Sequence, residues 1–190
     1  LRLRVFTLIH NSNNLRWLLL TKRPENITRM VPPEWLKAWP ENVWTGTSPC
    51  DQETADVCIP NLLRVPGRHF LSCEPLVGPI DLHDAFYRAR RGPEDTYKRR
   101  FTHSESGVHW VIAGGESGRG ARPCDVAWIR SLRDQCKAAG VPVFVKQLGA
   151  QPCSLPVHVG NGSGRGGLKD HKGGDMAEWP EDLRVREFPW

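Results

Sequence analysis

Five short apolar segments recur along the 190-residue chain, and they constrain its fold more than any other feature. Each is apolar on both faces and bounded by turn residues, as is typical of parallel strands buried between two layers. The segments are RWLLL at 16–20, NVWT at 42–45, HFL at 69–71, HWVIA at 109–113 and PVFV at 142–145. Helical patterns lie between several of them, so the sequence predicts an α/β fold with a parallel sheet built from βα units.

The intervening helices are indicated by apolar spacing. Apolar stripes at 55–63 and at 126–139 have helical periodicity, and Pro60 predicts a kink or a restart in the first. A shorter helix is predicted within 25–36, cut by two prolines, whereas residues 1–9 fit either a strand or a helix. The residues predicted to cap or end the two longer helices are Asp51, Asp125 and Gly140.

Two segments interrupt the alternation of strands and helices, and they suggest how the chain is divided. We expect residues 1–149 to form the βα domain with a basic insertion near 83–107, and residues 150–190 to form a Gly-rich loop and a tail that packs on it. The cations of the insertion are Arg88, Arg90, Arg91, Lys98, Arg99 and Arg100. The net charge of +5 and this insertion (88–100) fit a nucleic-acid partner. An ordinary solvated surface explains the net charge equally well, and a solvated, partly disordered loop is the favoured alternative for the insertion.

Several function classes are disfavoured by composition. No run of 18 apolar residues and no secretory signal is present, so we expect a cytoplasmic protein without a membrane partner. The six cysteines form no C-x-x-C pair, which favours reduced thiols. His69 and His109 lie at the starts of strands rather than at their carboxyl ends, so we predict no histidine metal site. The chain begins at Leu1 in mid-pattern, and we expect that its natural start is missing.

Polar residues follow nearly every predicted strand. The carboxyl ends of parallel strands share one edge of a sheet, and ligands bind at that edge in α/β folds. The opposite edge is expected to lack such a set. The residues after the five strands, in chain order, are Lys22 and Arg23, Thr47 and Ser48, Ser72 and Glu74, Gly114, Gly115 and Glu116, and Lys146.

These positions give candidate roles. We predict Glu74, Glu116 and Lys146 as catalytic residues. Anion binding is predicted for Lys22, Arg23 and Arg122. Two alternatives stay open, because the cations after the first strand could be solvated loop residues and Glu74 could cap a nearby loop. The GGESGRG turn that holds Glu116 lacks the G-x-G-x-x-G spacing, so it is not a dinucleotide fingerprint.

Six longer strings carry a resemblance to a known family: WLLLTKRPENI, NVWTGTS, FLSCEPLVGPIDL, WVIAGGESGRGARP, VKQLG and KGGDMAEWPEDLRVREFP. Together they resemble the phage-type three-cysteine-motif proteins, radical-SAM-like barrel proteins of phages and bacteria whose function is poorly defined. The resemblance covers most of the chain except the segment near 88–105 and part of the Gly-rich tail. It implies a partial parallel (βα) barrel of TIM type that lacks its first strands, with this chain as the C-terminal part.

The resemblance also implies cofactors. Members of the family carry an upstream cysteine cluster that ligates an iron–sulfur cluster, at which S-adenosylmethionine binds. This chain contains no such cysteine set, and truncation is the expected cause. The resemblance does not assign individual contacts, but from their positions after the strands we predict that the cofactor is bound by Thr47, Ser48, Ser72, Gly114 and Gly115.

Three functions follow as hypotheses. The first is a radical-SAM-type enzyme of unknown substrate, with a nucleic acid or a nucleotide as candidate substrate. The second is a phage-associated barrel module that binds nucleic acid without catalysis, through residues 88–100 and the Gly-rich tail. The third is a non-radical nucleotide or phosphate enzyme that uses Lys22, Glu116 and Lys146.

Overall fold

The computed structural model describes residues 2–87, 107–155 and 168–190, and a five-stranded parallel sheet forms its centre. The strands, in chain order, are β1 (Trp17–Thr21), β2 (Val43–Thr47), β3 (Arg68–Cys73), β4 (Trp110–Gly114), β5 (Cys124–Asp125), β6 (Val143–Gln147) and β7 (Pro152–Cys153). The large sheet has the order β1-β2-β3-β4-β6, and β5 pairs with β7 in a second small sheet. The predicted α/β class with a parallel sheet is confirmed, and the five main strands begin and end within two residues of the five apolar segments.

Six α-helices are described. They are α1 (Arg2–His10), α2 (Ile27–Met30), α3 (Pro33–Lys37), α4 (Gln52–Leu62), α5 (His83–Tyr87) and α6 (Val126–Ala139). The ambiguous segment at 1–9 is therefore mainly helical. The helix predicted within 25–36 is instead two short helices, α2 and α3, which follow a 3-10 turn at Pro24–Asn26. Pro32 and Pro33 divide them, because proline disfavours helical conformation in the residue before it and lacks the N–H donor that a helix interior requires.

The predicted helix ends are confirmed, with one correction. Asp51 caps α4 through a hydrogen bond of 2.9 Å from the Thr54 backbone N–H, and Gly140 ends α6 in a left-handed conformation at φ 68°. The restart predicted at Pro60 is wrong, since α4 runs unbroken to Leu62. Because Pro60 lies in the last turn of α4, it removes one backbone N–H donor but does not interrupt the helix.

The two faces of the sheet are covered differently. Alternation along the strands places one apolar set, which includes Leu71, Ala113 and Val145, in a core with residues of α4 and α6. The other face carries a separate aromatic cluster of Trp44, Phe70 and Trp110. One face is therefore buried by helices and the other is filled mainly by aromatic rings.

The C-terminal segment lies along β6. The Val145 backbone N–H donates to the Val185 carbonyl and the Glu187 N–H donates to the Val143 carbonyl, both at 2.9 Å. Arg130 of α6 also pairs with Asp182 at 2.7 Å. The tail is thereby held on the sheet and on α6. Among the described ranges, no helix combines the length and the hydropathy that a membrane crossing requires.

Candidate active site at the strand edge

Glu74 links the carboxyl ends of two strands. It follows β3 directly, and its Oε1 accepts hydrogen bonds from Lys146 Nζ at 3.0 Å and from Gln147 Nε2 at 3.2 Å. Both donors end β6, and β4 lies between β3 and β6 in the sheet. The structure therefore brings Glu74 and Lys146, predicted separately from the sequence, into one ion pair at this edge.

The three members of this group, which we name the edge triad (Glu74, Lys146 and Gln147), differ in exposure. The Lys146 side chain is 54% exposed and that of Glu74 is 17% exposed, whereas Gln147 is buried. Gln147 Nε2 also donates to the Gly115 carbonyl at 2.9 Å, which fixes its amide. Within the described part of the chain no donor reaches Glu74 Oε2, so this oxygen can accept a hydrogen bond from a ligand.

Glu116 is held by Arg122 in a two-pronged ion pair. Its Oε2 accepts from Arg122 Nε at 2.8 Å and from the Arg122 backbone N–H at 2.9 Å, and its Oε1 accepts from the other guanidinium nitrogen at 3.2 Å. These hydrogen bonds lower the pKa of Glu116 to about 2 and raise that of Arg122. Glu116 is therefore an ionised carboxylate at neutral pH, and its contacts close the GGESGRG turn.

The glycines after β4 serve close backbone packing. A Cβ on Gly115 would lie 2.9 Å from the Cys124 Cβ and would overlap the Leu148 carbonyl. The Gly114 carbonyl accepts from the Leu76 N–H at 2.9 Å, and the Gly115 N–H donates to the Gln147 carbonyl at 3.1 Å. These backbone groups are occupied by bonds within the protein, which position the edge triad.

The remaining predicted residues do not join the edge triad. Thr47 is fully buried on the helix-covered face, beside the Cys58 thiol of α4, and Ser72 is nearly buried on the opposite face of the sheet. Ser48 lies half-buried after β2, while Lys22 and Arg23 are exposed beyond β1. The strand-edge prediction thus locates the edge correctly for these residues but does not bring their side chains to one point.

Two predicted features fall outside the described residues. The cations of the basic insertion, from Arg88 to Arg100, lie within residues 88–106, whereas residues 83–87 of that predicted insertion form α5. Most of the Gly-rich loop lies within residues 156–167. The nucleic-acid contacts predicted for them stay predictions.

The cysteines do not fit the ligand set of an iron–sulfur cluster. Among the described residues, no three Cys, His, Asp or Glu side chains are grouped so that they could hold a metal ion. Burial raises the pKa of Cys124 and of Cys136 to about 12, and it also raises the pKa of Cys58 and of Cys73. Cluster ligation requires thiolates, which these environments disfavour.

One group of residues was missed by the sequence analysis, at the opposite edge of the sheet. There Arg68, the first residue of β3, and Arg16, just before β1, lie against the rings of Trp44 and Trp190. A cation at or just before the first residue of two strands is the signal that could have indicated this group. Its aromatic half was not predictable in that way, because Trp44 and Trp190 are far apart in the sequence.

The chain matches one family model, which is described as Protein of unknown function (DUF5131) and covers residues 1–172. The match spans every strand and all six α-helices, so it includes the edge triad and the Glu116–Arg122 pair. No curated protein sequence and no solved structure matches the chain.

Proposed function

Because the chain belongs to the family described as Protein of unknown function (DUF5131), we propose its function from the strand edge. It is the C-terminal part of a phage-type, radical-SAM-like (βα) barrel enzyme, and the edge triad helps to bind S-adenosylmethionine at the carboxyl ends of the strands. The observation that carries the proposal is the Glu74 carboxylate, held by Lys146 and Gln147 with its Oε2 left for a ligand.

The barrel part of the proposal rests on the two faces of the sheet. In a (βα) barrel the helices cover the outer face, while side chains of the inner face fill the interior in layers. Here α4 and α6 cover one face, and Trp44, Phe70 and Trp110 fill the other. Ser72 and Lys146 continue that second face toward the carboxyl ends of their strands, where barrel enzymes bind their ligands.

The ligand part of the proposal rests on donors and acceptors. S-adenosylmethionine carries an ammonium group and two ribose hydroxyls, which donate hydrogen bonds, and a carboxylate, which accepts them. Glu74 Oε2 can accept from the ammonium or from a hydroxyl, and the half-exposed Lys146 ammonium can donate to the carboxylate. Bound S-adenosylmethionine supplies an electrophilic sulfonium centre.

The iron–sulfur cluster does not fit the described residues, because they hold no group of three metal-ligating side chains and burial raises the pKa of Cys124 and of Cys136. We therefore derive no reaction step through a cluster. The proposal for this chain is limited to binding and orientation of S-adenosylmethionine by the edge triad.

Calorimetric titration of S-adenosylmethionine into the full 190-residue chain tests this proposal. The wild-type chain should show saturable binding, and Glu74→Gln should raise Kd about 10-fold or more, because a hydrogen bond to a charged group contributes roughly 1.5–3 kcal/mol. Absence of binding to the wild-type chain would overturn the proposal.

The matched control is Glu34→Gln, which removes an exposed carboxylate of α3 and should leave Kd unchanged. Circular dichroism of each variant checks that the fold is kept. Equal affinity of the wild-type chain and Glu74→Gln would also contradict the proposal, because the edge triad would then play no part in binding.

A further inference from the structure

A cavity opens at the edge of the sheet opposite to the edge triad. Its volume is about 370 Å³, which lies in the range of small-molecule sites, and its walls include Trp44, Arg68, His109, Phe188 and Trp190. Arg68 begins β3 and His109 precedes β4, so the cavity lies at the amino ends of the strands. The proposed S-adenosylmethionine site lies at their carboxyl ends.

The aromatic wall of this cavity combines a fixed part with an accessible part. Trp44 is only 1% exposed and lies with its ring centroid 6.1 Å from that of Trp190, in an edge-to-face arrangement. Trp190 is 60% exposed and also contacts Trp110 and Phe188, at 5.6 and 5.5 Å between centroids. Contacts on several sides hold the Trp190 ring, and the residue as a whole stays largely exposed, so it can contact a ligand.

Two arginines add positive charge to the aromatic wall. The Arg16 guanidinium carbon lies 4.6 Å from the centroid of Trp190, and that of Arg68 lies 5.5 Å from the centroid of Trp44. Stacking on an aromatic ring orients a guanidinium and leaves its N–H groups directed away from the ring. Within the described ranges, neither guanidinium group forms an ion pair or a hydrogen bond with the protein, so both can donate to a ligand.

The charge of the cavity selects the kind of ligand. None of the described side chains that line it is acidic, and the two arginines lie at its aromatic wall. This arrangement disfavours cationic ligands such as quaternary ammonium groups, which aromatic cavities otherwise bind. An aromatic ring can stack on Trp190 and an anionic group can pair with the guanidinium groups, and a nucleotide offers both within one small molecule.

We propose that this cavity binds one nucleoside monophosphate unit, with its base stacked on Trp190 and its phosphate held by Arg16 and Arg68. The unit is either a free nucleotide or the terminal nucleotide of a single strand, since both present the same base and phosphate. The site is independent of the S-adenosylmethionine proposal because it uses the other edge of the sheet.

Calorimetric titration of adenosine 5′-monophosphate into the full chain, at low ionic strength, provides the test. Saturable binding is expected, and the double variant Arg16→Ser/Arg68→Ser should weaken it about 10-fold or more through loss of charge-assisted hydrogen bonds. Trp190→Ala should weaken it about 5-fold or more through loss of stacking. The conservative Trp190→Phe keeps an aromatic ring for stacking and should keep most of the affinity. Comparison with Trp190→Ala therefore separates loss of stacking from disturbed packing of the C-terminal segment.

Two controls make the test specific. Arg64→Ser removes one positive charge from another exposed position and should leave Kd unchanged. Adenosine without phosphate and inorganic phosphate without a base should each bind at least about 10-fold more weakly than the nucleotide, because each supplies half of the interaction. Inorganic phosphate that binds as tightly as the nucleotide would overturn the stacking role of Trp190.

The two sources of the nucleotide are separated by a second titration with a 5′-phosphorylated hexanucleotide. Tighter binding of the hexanucleotide, lost in Trp190→Ala, assigns the cavity to the end of a single strand. Equal or weaker binding assigns it to free nucleotides. The proposal is overturned if neither probe binds, or if the arginine and tryptophan variants bind as the wild-type chain does.

Discussion

The Lys146 ammonium lies 3.0 Å from the Glu74 carboxylate, and this contact joins residues 72 positions apart in the sequence. Each residue follows or ends a parallel strand, and β4 separates the two strands. The contact therefore depends on the register of three strands as well as on the position of each residue after its own strand. The buried Gln147 amide, bonded to Glu74 and to the Gly115 carbonyl, fixes that register locally.

Gln147 should matter more for stability than Lys146. Gln147→Leu removes the amide that donates to the Gly115 carbonyl in a buried environment, and we expect it to lower the free energy of unfolding by about 1–3 kcal/mol. Lys146→Met removes a largely exposed ion pair and should cost less than about 1 kcal/mol. Urea denaturation of both variants measures the difference, and a larger loss in Lys146→Met would contradict this ranking.

The elements that the sequence predicts well depend on local chemistry. The five main strands follow from short apolar segments. Asp125 caps α6 because its carboxylate accepts a hydrogen bond of 2.9 Å from the Ala127 N–H, only two residues further along the chain. Pro60 misled the prediction because its effect depends on how many residues of helix follow it. Only two follow in α4, so no restart is needed.

The candidate site was predictable as an edge but not as a set of contacts. Because Glu74 and Lys146 each come directly after a predicted strand, the sequence predicts both at the same edge of the sheet, and the structure shows an ion pair between them. Position alone does not say which face a side chain takes, and Thr47 lies buried on the helix-covered side. The cavity at the other edge forms because Trp190 packs against Trp44. These residues are far apart in the sequence, so no local sequence pattern predicts their contact.

Gly115→Ala should destabilise the edge of the sheet strongly. The added Cβ would lie 2.9 Å from the Cys124 Cβ and would overlap the Leu148 carbonyl, so backbone must shift. Overpacking of this kind costs about 1–3 kcal/mol or more. Thermal unfolding by calorimetry should show a lower Tm for this variant and little change for the control Ser117→Ala, an exposed position in the same turn. A Tm equal to that of the wild type would show that the turn can relax.

His69 should make stability depend on pH near neutrality. The side chain is buried, with Nδ1 2.7 Å from the Gly107 carbonyl oxygen and Nε2 2.7 Å from that of Val65. Burial lowers the pKa of His69 below its ordinary value of 6.5, and the two carbonyls oppose this only in part. The neighbouring His109 ring lies 6.1 Å away between centroids.

The sign of this dependence follows from proton binding. Since the unfolded chain takes up a proton at His69 more readily than the folded chain, the stabilisation is present above pH 6.5 and is lost as the pH falls toward the lower folded pKa. Urea denaturation between pH 5 and 7.5 (roughly 1–1.5 pH units on either side of an ordinary histidine pKa) should show this slope in the wild-type chain. The slope should be smaller in His69→Gln, and a wild-type stability that rises as the pH falls would refute the assignment.

Glu116 should stay ionised at a pH where ordinary glutamates are protonated. Arg122 holds the pKa of Glu116 at about 2, compared with an ordinary value of 4.5. Carbon-13 NMR of the side-chain carboxyl should therefore show no titration of Glu116 between about pH 3.5 and 6, where unperturbed glutamates titrate. Arg122→Met should return the pKa toward 4.5. Arg119→Met, which removes an exposed cation from the same turn, should leave it near 2. A wild-type Glu116 that titrates with the other glutamates would mean that the guanidinium does not hold this carboxylate in solution.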